Sequence, residues 1–227
     1  MKTTIKVLLG VAIAALTYFC IMSIVTPIQY GIEKDKRDKE VIQRLIDLRE
    51  AQIEYKSQKG AYTTGIDTLI TFLKNNKKKV VVKEGVLTDK QLEAGLTEAK
   101  ASAIVRRGNK KEILENGLTG FRRDTTYQNL IAALYGERFT KETIDEIQYI
   151  PYSDKVVFEV ELNNNYLSSN DIWIPLCEIR APYKSYLMDI NRQETLNAID
   201  LQKKLNKYPG LKVGSVEEPN NFAGNWE

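Results

Sequence analysis

The chain has no histidine. Without an imidazole, Ser-His-Asp and Cys-His nucleophile arrangements are excluded, along with most zinc sites. Catalysis by carboxylates, lysine or tyrosine would need a positive sign, and the sequence offers none; no enzyme activity, cofactor or metal is expected. Cysteine is nearly absent. Cys20 lies in an apolar run and Cys177 in an expected strand, so no intrachain disulfide is expected between them. A dominant charge sign is lacking too: 33 Lys and Arg against 30 Asp and Glu leave +3 over 227 residues. That balance gives no broad nucleic-acid footprint, and no nucleic-acid partner is expected. Most informative is a local absence, since no charged residue occurs between Val7 and Ile32.

Crossing a hydrocarbon core of about 30 Å takes roughly 20 apolar residues of helix. Residues 7–28 meet that requirement, with Val7, Leu16 and Ile28 at the start, middle and end of the run. A secretory apolar region is shorter, about 7–15 residues, and is followed by a small-residue cleavage site. Here the triplet Ala12-Ile13-Ala14 lies inside the run, and Thr17-Tyr18-Phe19 puts bulky rings where a lipidated cysteine would need small residues before it. Residues 1–32 therefore read as an uncleaved transmembrane anchor whose first partner is membrane lipid. Tyr30 is placed as an interfacial aromatic, and Pro27 is tolerable near the end of a membrane helix. Lys2 and Lys6 precede the span; Lys34, Lys36, Arg37, Lys39 and Arg44 follow it. The positive-inside rule would keep the C-terminal region in the cytoplasm, but it weakens for long domains.

About 195 of the 227 residues remain outside the lipid, enough for one domain with a proper core. Residues 33–60 read as an amphipathic stalk helix continuing from the span. Val41, Leu45, Leu48 and Tyr55 recur at the helical period, flanked by Ile42, Ile46, Ala51 and Ile53. The stripe is wider than a coiled-coil seam, and Gln52 interrupts the narrow seam, so a broad face should lie on a domain core. Gly60 suits the position past the helix end, with Lys56 and Lys59 favourable at the C-terminal dipole. The charged run 33–40 reads as a solvated stalk.

Residues 61–207 are expected to form an extramembrane α+β domain with a helical insertion at about 84–146, followed by a tail at 208–227. Within it, 67–73 reads as a short helix and 74–83 as a basic loop leading into a short strand. Residues 87–118 read as helices broken near Gly95 and Gly108, with Leu92, Leu96 and Ala99 as one stripe and Ile113 and Leu114 on another. Further short helices are expected at 129–135 and at 141–147, the second capped by Thr140. In 155–162, Val156, Phe158, Val160 and Leu162 alternate with polar residues, the signature of a half-buried strand. Residues 148–152 and 172–181 would complete a three-stranded antiparallel meander, with Pro175 marking an edge or a bulge. Residues 191–208 read as a final amphipathic helix carrying Leu196, Ile199, Leu201 and Leu205, and the tail, with Phe222 and Trp226, as ordered.

Chemical candidates are few. Glu159 and Glu161 share a strand face, but two carboxylates make a poor cation site and a solvated sheet face explains them. Arg106, Arg107, Lys110, Arg122, Arg123 and Asp124 could form a phosphate cluster, yet no glycine-rich loop accompanies them. Tyr149, Tyr152, Tyr166, Tyr183 and Tyr186 gather around the expected sheet, as interface or as ordinary sheet surface.

The opening segment resembles type IV pilin and pseudopilin proteins over about residues 7–73. The features are a membrane helix running into an amphipathic one, then Ala51-x-x-x-Tyr55, Gly60-Ala61-Tyr62, Leu69 and Phe72-Leu73. The processing motif of that family is missing: Gly10 is followed by Val11-Ala12-Ile13-Ala14-Ala15, with no glutamate at the fifth position. The remainder is similar to uncharacterised bacterial membrane-anchored proteins. The resemblance implies a single-pass structural or scaffold protein of the bacterial cell envelope. Its C-terminal domain would lie on the periplasmic side of the inner membrane, in contact with itself or other envelope proteins. The alternative is a membrane-tethered binding module for an envelope ligand or peptide, with the insertion and tail forming its pocket.

Overall fold

The computed structural model describes residues 2–227, apart from the side chains of residues 2, 81–83 and 123–126. The fold is α+β. It divides into two compact units, one made of residues 1–72 and 141–227, the other of Leu73–Thr140.

The first unit is organised by α1 (Lys2–Lys59), 58 residues of unbroken helix that pass through Pro27. Residues 3–24 are exposed, Val7 and Leu16 among them, as is Ile28, and the helix is long and apolar enough to cross a membrane. The second half is the core helix of a domain: Val41, Leu45, Leu48 and Ala51 are fully buried. Burying each leucine contributes about 1.5–3 kcal/mol, which is why this broad stripe, and not helix propensity, holds the segment. Tyr55 is half-buried, its ring edge-on to Phe72 at 4.9 Å. Gly60 ends the helix at φ +83°, donating its N–H to the Lys56 carbonyl, a conformation an L side chain resists. The chain returns in α2 (Ile66–Asn75).

Against α1 lies a three-stranded antiparallel sheet in the order β3 (Glu159–Leu167), β4 (Trp173–Pro182), β5 (Gly210–Gly214). The expected third strand at 148–152 is not in it. Tyr152 and Lys155 take positive φ around the turn, which limits that hairpin to a single bridge, Tyr149 to Val157. The third strand comes instead from the tail, so β4 is central. Pro175 is accommodated because the β3–β4 register shifts between Asn163 and Tyr166, opposite it, and β5 pairs only with residues 178–182. β3 begins at Glu159, later than expected, leaving Val156 and Val157 exposed and Phe158 buried.

The tail is ordered. Past β5 the chain turns at Gly214, φ +78°, where a Cβ would stand 2.1 Å from the Cys177 carbonyl oxygen. Val213 bridges to Gly224, and Phe222 is buried with its ring edge-on to Tyr62 at 5.5 Å.

Two expected helices change. Residues 141–143 form a turn and Ile144–Gln148 a 3-10 helix, with Thr143 and not Thr140 at the N-cap position. Ile144 and Ile147, both fully buried, are three apart, and a three-residue period puts them on one line. Between β4 and the last helix lies the short α7 (Tyr183–Tyr186). The last helix, α8 (Arg192–Lys204), is capped by the Asn191 side chain and buries Thr195 and Ile199, while Leu196, Leu201 and Leu205 stay exposed.

The second unit pairs β1 (Lys77–Glu84) with β2 (Arg122–Asn129), a strand whose polar sequence gave no warning. That pairing joins the two ends of the segment, residues 77–84 and 122–129, within the compact unit Leu73–Thr140. Between the strands run α3 (Asp89–Glu93), α4 (Glu98–Arg107) and α5 (Lys110–Glu115), and α6 (Leu130–Tyr135) follows β2. Leu87, Ala101, Ile104, Leu118 and Phe121 form its core, with Leu96, Val105 and Ile113 partly covered. Leu92, Ala99 and Leu114 are exposed. Gly95, at φ +79°, resets the helical phase, so a stripe counted across it does not stay on one face.

Candidate functional site

The charged run at 33–40, expected as a solvated stalk, is bolted to the domain. Arg37 makes a two-pronged ion pair, Nη1 to Asp189 Oδ1 at 2.6 Å and Nη2 to Oδ2 at 2.8 Å. Its Nη1 also donates to the Tyr186 carbonyl at 2.7 Å, and its Nε to Glu33 at 3.2 Å. Its guanidinium lies 4.8 Å from the centre of the Tyr152 ring, whose hydroxyl donates to Glu40. One turn toward the N-terminus, Lys34 reaches Asp38 at 2.5 Å and stacks on Tyr183 at 4.8 Å, while the Tyr186 hydroxyl donates to Asp38 at 2.8 Å. Tyr30 is buried, its hydroxyl beside Thr195. Tyr30, Lys34, Arg37 and Asp38 thus repeat at helical spacing on the face that meets α7 and α8, a polar continuation of the apolar stripe.

The electrostatics of this cluster are those of a fastening. Hydrogen bonding to Arg37 holds the Asp189 carboxyl below the usual carboxylate range. Burial, reinforced by Asp38, pushes the Tyr186 phenol far up. The bond to Glu40 pushes Tyr152 up to about 12. Phenols held protonated in this way donate hydrogen bonds and are poor bases near neutrality.

Of the two carboxylates considered for a cation, Glu161 is paired with Arg180, and Glu159 stands exposed at the start of β3. Arg180 bonds both Glu161 and Glu178, and Lys212 reaches Glu178 at 2.8 Å. Glu178 is buried; burial opposes its charge, but Lys212 and Arg180 overcome this and hold its pKa below the ordinary value. No group of three or more acidic or cysteine ligands stands ready for a metal among the described residues. In the second unit Arg107 pairs with Glu112 at 3.2 Å. Arg123 and Asp124 of the considered phosphate cluster have side chains outside the described residues.

The sequence also gave no indication of the role of Gln52. It is fully buried, its Nε2 donating to the Thr63 carbonyl at 2.6 Å and its Oε1 accepting from the Thr63 N–H at 3.2 Å. The residue that breaks the apolar seam thus ties the turn after α1 back to the helix.

Two clefts open on the first unit. One, about 540 Å³, is lined by Asp38, Ile42, Tyr183, Tyr208, Lys212 and Trp226 among others. The other, about 310 Å³, is lined by Ile53, Tyr62, Pro175, Cys177 and Phe222 among others. Burial pushes the Cys177 thiol up to about 12, which leaves it a poor nucleophile. No protein-family model, curated protein or solved structure matches the chain.

Proposed function

We propose that the protein is a single-pass membrane-anchored scaffold of the cell envelope, whose α1 serves at once as anchor and as the core helix of a pilin-like domain. One observation carries this reading. The uncharged half of α1 is exposed, whereas its continuation buries Val41, Leu45, Leu48 and Ala51 completely in the core of the unit. A soluble core helix would be buried throughout, and an exposed apolar helix of this length needs an apolar solvent. The charged groups of the Arg37 and Glu178 clusters are paired with one another, although the buried Tyr30 hydroxyl has no hydrogen-bond partner among the described residues, and this pairing favours work through protein contacts over chemistry. The pilin-like arrangement of long helix on antiparallel sheet favours a domain outside the inner membrane.

The test is membrane extraction followed by crosslinking of cells with the outer barrier opened, using an amine reagent that does not cross the inner membrane. The chain should stay with membranes until detergent is added and should give a ladder of self-multiples. Recovery in a detergent-free soluble fraction would sink the anchor. Complete protection from the reagent would reverse the orientation. Labelled monomers without a ladder would favour a tethered binding module, the reading that the 540 Å³ cleft with Trp226 and Tyr208 supports.

A further inference from the structure

We infer that the N-terminal end of α8 rests in the phospholipid headgroup layer, so that the domain sits on the bilayer and is not held above it. The inference rests on the anchoring proposed above and adds the surface that meets lipid. Three observations fix its level. Tyr30, two residues past Ile28, is buried with Thr195 and Glu194 beside it. Val25 and Thr26, inside the apolar run, are already half-covered, whereas Val7 and Val11 are bare. The other end of α8 lies higher, because Gln202 shares a cleft with Asp38 and Ile42. From Tyr30 to Asp38 along α1 is about 12 Å, and from Thr195 to Gln202 along α8 about 10 Å. The two helices therefore climb away from the membrane together, and the N-terminus of α8 points back toward it.

The depth follows from helix rise. If hydrocarbon ends at Ile28, Tyr30 stands about 3 Å beyond it, and Arg192, three residues before Thr195, drops about 4.5 Å back toward the bilayer. The headgroup layer is about 5–7 Å thick on each side. A helix tilt of about 20° would move an element 10 Å to the side by only about 3 Å along the normal. Arg192 and Gln193, both exposed, therefore fall at the inner edge of the headgroup layer, within about 2 Å of the hydrocarbon boundary, with exposed Leu196 beside them. A guanidinium at that depth can bind phosphate while its stem lies against acyl chains. The opposite end of the unit is far from lipid: Ile174, Pro175 and Cys177 line a cleft with Ile53 and Lys56, near the end of α1.

The test uses the full chain with Cys20→Ser, reconstituted in vesicles of phosphatidylcholine and phosphatidylglycerol. Nitroxide labels go on Gln193→Cys, on Leu196→Cys as a second site, and on Ile172→Cys as the distal reference. Cys177 is buried and does not compete for label. Collision with a water-soluble nickel chelate, relative to oxygen, should be several-fold lower at 193 and 196 than at 172. Equal ratios at all three positions in vesicle-bound protein would overturn the seating and leave the anchor intact. A chain that fails to float with vesicles would overturn both.

Discussion

Replacing Gln52 with leucine tests the least obvious contact in the fold. Both partners of its amide are backbone groups of one residue, Thr63, so the substitution strands a donor and an acceptor together. A buried polar group left without a partner costs about 1–3 kcal/mol. Thr63 is half-buried, which puts each loss at the lower end, and leucine returns part of the deficit as apolar burial. The net loss is expected at about 1–2 kcal/mol, or about 2–8 °C in melting temperature for a protein of this size. Thermal unfolding of the full chain in detergent, followed by tryptophan fluorescence, measures it. Gln52→Glu supplies a second readout. An ionised carboxylate there is buried against the Thr63 carbonyl, whereas a protonated one donates to it, so the deficit of this variant should shrink as pH falls. A Gln52→Leu protein melting with the parent, together with a pH-independent Gln52→Glu deficit, would refute the reasoning.

Leu45→Ala removes a fully buried side chain from the core face of α1 and should cost about 2–5 kcal/mol, read from the same melting curves. Acid should destabilise the fold through Glu178 and Asp189. Their folded pKa values lie below the unfolded ones, so the stability they add is present above about pH 4 and lost as pH falls through the folded values. Glu178→Gln should flatten that acid limb. In a Cys20→Ser chain, Cys177 should resist a thiol reagent at neutral pH and react once denaturant is added; rapid labelling of the native protein would contradict its burial.

The long helix was legible because two patterns meet in it: an uncharged run and a 3.6-residue stripe through Val41, Leu45 and Leu48. The stop at Gly60 and the break at Gly95 were equally local signals. What escaped was non-local. β2 is a polar strand of eight residues that exists through its pairing with β1. The third strand of the sheet comes from the tail and pairs with β4, whereas 148–152 beside 155–162 was expected, because no short-range pattern marks 210–214 as a partner for a strand about 30 residues earlier. The fastening at 33–40 was hidden for a related reason. A charge run reads as solvated until its partners, Asp189 and the carbonyl of Tyr186, about 150 positions away, are brought to it. Glu178 likewise looked like one more polar residue on a strand, because Lys212 comes from the tail.

In the anchoring proposed above, α1 is continuous from bilayer to core and so also transmits angle. Each residue of α1 turns its successor by about 100° and lifts it by about 1.5 Å. With Tyr30, Lys34 and Arg37 gripped by the domain, there is no swivel between the lipid-facing side chains and the sheet. For a chain anchored as proposed, the compass bearing of the domain is therefore set inside the membrane. One residue inserted before Met22 would leave the domain intact yet swing its every surface by about a quarter turn relative to the lipid-facing side chains ahead of the insertion.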